Sequence, residues 1–87
     1  MAVVNVTVRH EVGLHARPAS MFVKKAMGFK SEIKVTCGER TANGKSILSV
    51  LTLGAHQGAE IEIAAEGEDA DAAVAALKGL VDDNFGE

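Results

Sequence analysis

His15, Arg17 and Pro18 lie within four positions of one another in the run Gly13-Leu14-His15-Ala16-Arg17-Pro18-Ala19. Histidine, with an unperturbed pKa of about 6.5, presents an uncharged and nucleophilic ring nitrogen at neutral pH. Arginine offers a planar fork of donors that matches phosphate oxygens. Proline lacks an amide hydrogen and has its φ set near helical values, so it belongs in the first turn of a helix. A helix is therefore predicted to start at or just before Ala16, with His15 at its N-cap. The amides of Ala16 and Arg17 then have no partner within the helix and, with the positive end of the helix dipole, favour an anion. These positive groups disfavour imidazolium and so leave the lone pair free to attack phosphorus. After the attack they hold the phosphoryl group on the ring. A dipole contribution is about 0.3–1 kcal/mol at an exposed site and up to ~2 when partly buried. That is enough to position a phosphoryl group without trapping it, which suits a carrier.

The elements that must position these groups are legible from periodicity. Ala19, Phe22, Val23 and Ala26 recur at helical spacing after the proline, and Gly28 is a suitable stop. Upstream, Val4, Val6 and Val8 alternate with Asn5 and Thr7, as in a strand with one buried face. Ile33, Val35 and Cys37 predict a second strand, with Cys37 as a small core residue. Gly38-Glu39 turns into a short third strand from Arg40 to Ala42, which Asn43-Gly44 closes. Ser46 is a suitable N-cap for a short helix over Ile47–Leu51 that stops by Gly54. Ile61, Ile63 and Ala65 alternate with Glu60, Glu62 and Ala64 in a fourth strand. A last helix is predicted from about Asp71 to about Asp83, with Val74, Leu77, Leu80 and Val81 on its buried stripe. The order βαββαβα, with strands polar on one face and helices apolar along one stripe, predicts an α+β fold with helices on a single face of an antiparallel sheet.

Composition narrows the function. The 87 residues suit a single domain over 1–87, and 47% hydrophobic with 24% charged residues is ordinary globular usage. A net charge of −3, three Phe and no Trp or Tyr argue against direct nucleic-acid binding. No apolar run approaches the ~20 residues that cross a bilayer. Met1-Ala2-Val3-Val4 lacks the basic start of a signal peptide, so a cytoplasmic location without membrane insertion is expected. One cysteine cannot form an internal disulfide, and no His/Cys cluster has metal-ligand spacing; neither a metal nor a cofactor is expected. Arg17, Lys24 and Lys25 make the first helix basic, whereas most acids follow Glu60. His10 has no spacing that ties it to His15 and is assigned no role.

The Gly13–Ala19 run, the chain length and the element order together resemble the histidine-containing phosphocarrier (HPr) family of the bacterial phosphoenolpyruvate-dependent sugar phosphotransferase system. The resemblance spans essentially the whole chain. It implies an open-faced β-sandwich, a four-stranded antiparallel sheet with three helices on one face. It also implies that Nδ1 of His15 accepts a phosphoryl group from phosphorylated enzyme I and passes it to the IIA component of a sugar permease, with Arg17 holding phosphate oxygens. Such a carrier is a covalent intermediate more than an enzyme. A monomer suits a small protein that must show one face to several partners.

Asn43-Gly44-Lys45-Ser46-Ile47-Leu48 resembles the family's regulatory segment, in which the serine matching Ser46 is phosphorylated by an ATP-dependent HPr kinase/phosphorylase. In the family this mark slows the histidine reaction and creates a co-effector for a catabolite-control transcription factor. The family pattern also implies a docking patch for partners from Ser20, Met21 and Lys24 of the first helix and Ile47, Leu48 and Leu51 of the second, with Ile47 and Met21 partly exposed. Val12, Met27 and Gly28 depart from polar or basic residues common in the family, and none removes a group that the phosphoryl chemistry requires. Two other functions compete: the nitrogen-branch phosphocarrier, which shares the Gly-x-His-Ala-Arg-Pro-Ala core, and a regulatory module acting mainly through phospho-Ser46. The Gly44–Ile47 segment favours the sugar branch over the first, and the retained His15 favours carriage over the second.

Overall fold

The computed structural model describes residues 1–9, 16–83 and 85. Its elements are β1 (Ala2–Thr7), α1 (Ala16–Ala26), β2 (Glu32–Cys37), β3 (Arg40–Asn43), α2 (Ile47–Thr52), β4 (Glu60–Glu66) and α3 (Ala70–Asp82). The four strands form one sheet in the order β1-β4-β2-β3, and every neighbouring pair is antiparallel. This is the open-faced arrangement expected from the sequence.

The register explains why only one face is covered. Val4 lies beside Ile63, Ile63 beside Val35, and Val35 beside Ala42, so one row of apolar side chains crosses the whole sheet. The next row on the opposite face runs Asn5, Glu62, Thr36 and Thr41, and there the two threonine hydroxyls lie 3.3 Å apart. Because side chains alternate between faces, the helices can bury only the first kind of row. Ala19, Phe22, Val23 and Ala26 of α1 are all buried, as their spacing predicts, and so are Ala73, Val74, Leu77 and Val81 of α3. Leu80 and Cys37 are half-buried against this core. Helix α3 packs on β1 and β4, whereas α1 lies against both α2 and α3.

Helix α1 is regular through Ala26, and Met27 and Gly28 follow as a turn, their amides donating to Val23 (2.9 Å) and Lys25 (3.1 Å) carbonyls. Pro18 is buried as the third residue of α1, where a missing amide hydrogen leaves no helical bond unmade. Lys24 and Lys25 stand in the last turn, where cations complement the helix dipole.

Asp69 has a role that its sequence position does not suggest. It precedes α3 as the N-cap residue, yet its side chain makes no capping bond. Instead Oδ2 accepts from the Lys30 amide at 2.8 Å, and Oδ1 accepts from the Ser31 amide at 2.9 Å and from the Ser31 hydroxyl. The start of α3 thereby holds the chain between α1 and β2. The Ser31 hydroxyl, then the Lys30 amide, are the largest causes that lower the Asp69 pKa from 3.8 to about 2, because each bond favours the carboxylate. A lowered folded-state pKa stabilises the fold fully above the unfolded value, and that contribution is lost as pH falls from 3.8 towards 2. Asp69→Asn is expected to lower the urea midpoint at pH 7 and to flatten the acid decline across that window. Parallel pH profiles for variant and wild type would contradict this role.

Candidate functional site

The stretch that joins β3 to α2 is held by its own backbone. The Asn43 carbonyl accepts from the Ser46 amide at 3.1 Å, while its side-chain Oδ1 accepts from the Lys45 amide at 2.9 Å. Gly44 donates from its amide to the Ile33 carbonyl at 2.8 Å. A Cβ added at Gly44 would stand 2.5 Å from Ile33 Cγ2, so only glycine lets the turn approach β2 this closely. Asn-Gly was expected to close the strand, and the structure adds that the asparagine side chain organises the next residue.

Ser46 then has extended backbone angles, φ −121° and ψ 118°, and its Oγ accepts from the Ser49 amide at 3.3 Å. Its carbonyl accepts the first helical bond from Val50 at 3.0 Å. The predicted N-cap is therefore present. At the other end α2 carries no basic residue of its own in the last turn, and Arg40 of β3 supplies one, donating to the Thr52 carbonyl at 2.9 Å.

His10, Glu11, Val12, Gly13, Leu14 and His15 lie outside the described residues. Of the groups predicted to handle phosphate beside His15, Arg17 is exposed in the first turn of α1, and Ala16 is its first residue. Ser20 and Lys24 are also exposed on α1. Met21 is half-buried and touches the core, as does Leu51 on α2, whereas Ile47 is 43% and Leu48 77% exposed. Since α1 and α2 pack together, the six residues of the predicted patch belong to adjoining helices. Leu48 and Ile47 supply its accessible apolar surface, and Met21 and Leu51 are shared with the interior. Met27, just beyond α1, is a further exposed apolar side chain, 64% accessible.

Sequence reading missed Lys45. Its ammonium donates to the Phe29 carbonyl at 2.7 Å in a partly buried contact and so ties the entry of α2 to the exit of α1. No local signal marks a lysine for a carbonyl 16 residues away. Among the described residues no three His, Cys, Asp or Glu side chains gather as a metal site would need, and no helix is long and apolar enough to cross a membrane.

A family model described as the PTS HPr component phosphorylation site matches residues 3–83. A phosphocarrier protein HPr from Mycoplasma capricolum is 44% identical over 78 residues, which cover 90% of this chain and 88% of the relative. Another, from Haemophilus influenzae, is 48% identical over 69 residues, covering 79% and 81%. The crystal structure of HPr from Thermoanaerobacter tengcongensis superposes with a TM-score of 0.97 at 40% identity, covering 100% of this chain and 98% of that one.

Proposed function

The chain belongs to the HPr family of the phosphotransferase system, and from that premise we propose that it is a single-domain, cytoplasmic and monomeric carrier whose His15 takes a phosphoryl group from phospho-enzyme I and yields it to IIA components. A phosphocarrier of this system serves sugar transport and is not an enzyme in the ordinary sense. The observation that supports the assignment is Arg17, exposed in the opening turn of a helix whose start follows His15 directly. In the transfer, Nδ1 of His15 forms a bond to phosphorus as the P–N bond of the donor phosphohistidine breaks. The electron pair of that bond returns to the donor imidazole. The Arg17 guanidinium and the amides at the start of α1 balance the charge on the phosphoryl oxygens. The second transfer repeats the exchange with a IIA histidine, so the carrier itself consumes no metal or cofactor. Incubation with phosphoenolpyruvate and enzyme I should add one acid-labile phosphoryl group, and IIA should then remove it. A phosphate that survives acid, or one that IIA leaves in place, would overturn the assignment.

The same reading makes Ser46 a regulatory site for an HPr kinase/phosphorylase, with the modified form a ligand for a catabolite-control transcription factor. Its Oγ would bond to the γ-phosphorus of ATP as ADP leaves, the hydroxyl proton passing to a base of the kinase. A phosphate of about −1.5 to −2 charge opposes an incoming phosphoryl group and any acidic partner surface drawn to Arg17 and Lys24. Ser46→Asp is expected to lower kcat/KM for phosphorylation by enzyme I about tenfold, equivalent to ~1.4 kcal/mol, with the loss shrinking at high salt. Unchanged kinetics would remove the electrostatic account. Ser46→Ala should keep carriage and lose about 1 kcal/mol of stability with the cap.

A further inference from the structure

The exit of α1 is fastened to the entries of both other helices. Asp69, ahead of α3, binds the amides of Lys30 and Ser31, and Lys45, ahead of α2, binds the carbonyl of Phe29. The two fastenings differ in kind. The Asp69 carboxylate accepts from three donors, whereas among the described residues the Lys45 ammonium, with three hydrogens, donates to one neutral acceptor, at 2.7 Å. Phe29 is itself held from the other side, its amide donating to the Ala26 carbonyl at 3.1 Å. Lys45 immediately precedes Ser46, and its backbone is fixed by Asn43 Oδ1 at 2.9 Å, so the flexible side chain pivots from a stationary base beside the serine.

We infer that Lys45 is the switch cation of Ser46: its ammonium, parked on the Phe29 carbonyl in the unmodified chain, moves to a phosphoryl group on Ser46, so that modification at α2 also releases the exit of α1. This rests on Ser46 being the modified residue. Both bonds have an ionised donor, but only the phosphoryl group adds an opposite charge, whose Coulomb attraction favours it over the neutral carbonyl, and a phosphoryl group on the neighbouring residue is within reach of a four-carbon stem. Once Lys45 leaves, Phe29 keeps its amide bond and Lys30 and Ser31 keep Asp69. The attachment of α1 to α3 therefore survives, and only its attachment to α2 is loosened. The mark thus acts on the seam between the two helices that carry Arg17, Lys24, Ile47 and Leu48, in addition to adding charge.

The test uses the full chain with phosphoserine installed at position 46 by semisynthesis, which makes it independent of any kinase. Phosphorus NMR titration should place the second phosphate pKa below the ordinary value of about 6, and Lys45→Gln should raise it by about half a unit or more, since a cation in contact favours the dianion. Lys45→Arg should keep it low. In the wild-type sequence, the carbonyl carbon signal of Phe29 should move on phosphorylation, while the amide signals of Lys30 and Ser31 should not. Equal phosphate pKa values in the wild type and Lys45→Gln would overturn the inference. So would a Phe29 carbonyl signal that ignores the phosphate, a result that needs no variant. Failure of an HPr kinase to label Ser46 in the natural chain would instead refute the regulatory reading of the site, and the two failures are read from different experiments.

Discussion

Replacement of His15 by alanine is expected to abolish acid-labile phosphorylation by phosphoenolpyruvate and enzyme I, not merely to slow it. The reason is stoichiometric. In a carrier the phosphoryl group resides on the nucleophile, and no other side chain in the run Leu14-Ala16-Arg17-Pro18-Ala19 can form a P–N bond that is both reactive and reversible. A guanidinium is a delocalised cation with no free lone pair to attack phosphorus, so Arg17 cannot substitute. Intact mass after the reaction should read the unmodified value for His15→Ala and one added phosphoryl group for the wild type, which acid treatment then removes. Labelling of Ser46 by ATP and an HPr kinase should persist in the variant and reports that the fold and α2 are intact. A labile phosphate on His15→Ala would place the acceptor elsewhere, and His10 would be the first residue to test.

The largest effect on stability is expected from Gly67→Ala, a change of one methyl group outside every predicted site. Gly67 has φ +149°, a conformation that side chains rarely adopt, and a Cβ there would lie 2.6 Å from the Ser31 hydroxyl and 2.8 Å from Ser31 Cα. The hydroxyl could rotate away, but Cα is backbone and cannot. Ser31 is 1% exposed and held through its amide by Asp69 at 2.9 Å. Backbone strain of about 1–3 kcal/mol and overpacking of a similar size together predict a loss of about 2–6 kcal/mol. That is a large share of the ~5–15 kcal/mol by which domains are stable. Urea unfolding measures it directly, and a second signature accompanies it. Pushing Ser31 aside weakens its hold on the Asp69 carboxylate, so the acid decline between pH 3.8 and 2 should become shallower as well. A variant within about 0.5 kcal/mol of wild type, the range of an ordinary surface change, would mean that the close approach to Ser31 is not a constraint.

These two expectations come from different levels of description. His15, Arg17 and Pro18 are neighbours in the chain, and their chemistry is readable wherever the helix begins. The strand from Ile61 to Ala65 and the stripe Ala19, Phe22, Val23 and Ala26 are readable for a related reason. Side-chain periods of two and 3.6 residues record which face is buried before the partner surface is known. The cap at Ser46 was equally local, since the donor it satisfies, the Ser49 amide, is three residues away.

Relations between elements had no such record. Alternation marks Val35 as buried, but not that Ile63 and Ala42 flank it, because a strand's pattern carries its period and not its neighbours. The docking patch was assigned as a unit, yet Leu51 and Met21 proved to be shared with the core, since exposure on a short helix depends on what packs beside it. Asp69 reaches Ser31 across 38 positions, and Lys45 reaches Phe29 across 16. Taken alone, the sequence marked the His15 run as the candidate site and determined the faces of each element and their order, all properties of residues within about two helical turns of one another. Only the tertiary structure decided how the exit of α1 is fastened and why Gly44 and Gly67 must lack a side chain. Those depend on distances between segments that meet only when the chain is folded.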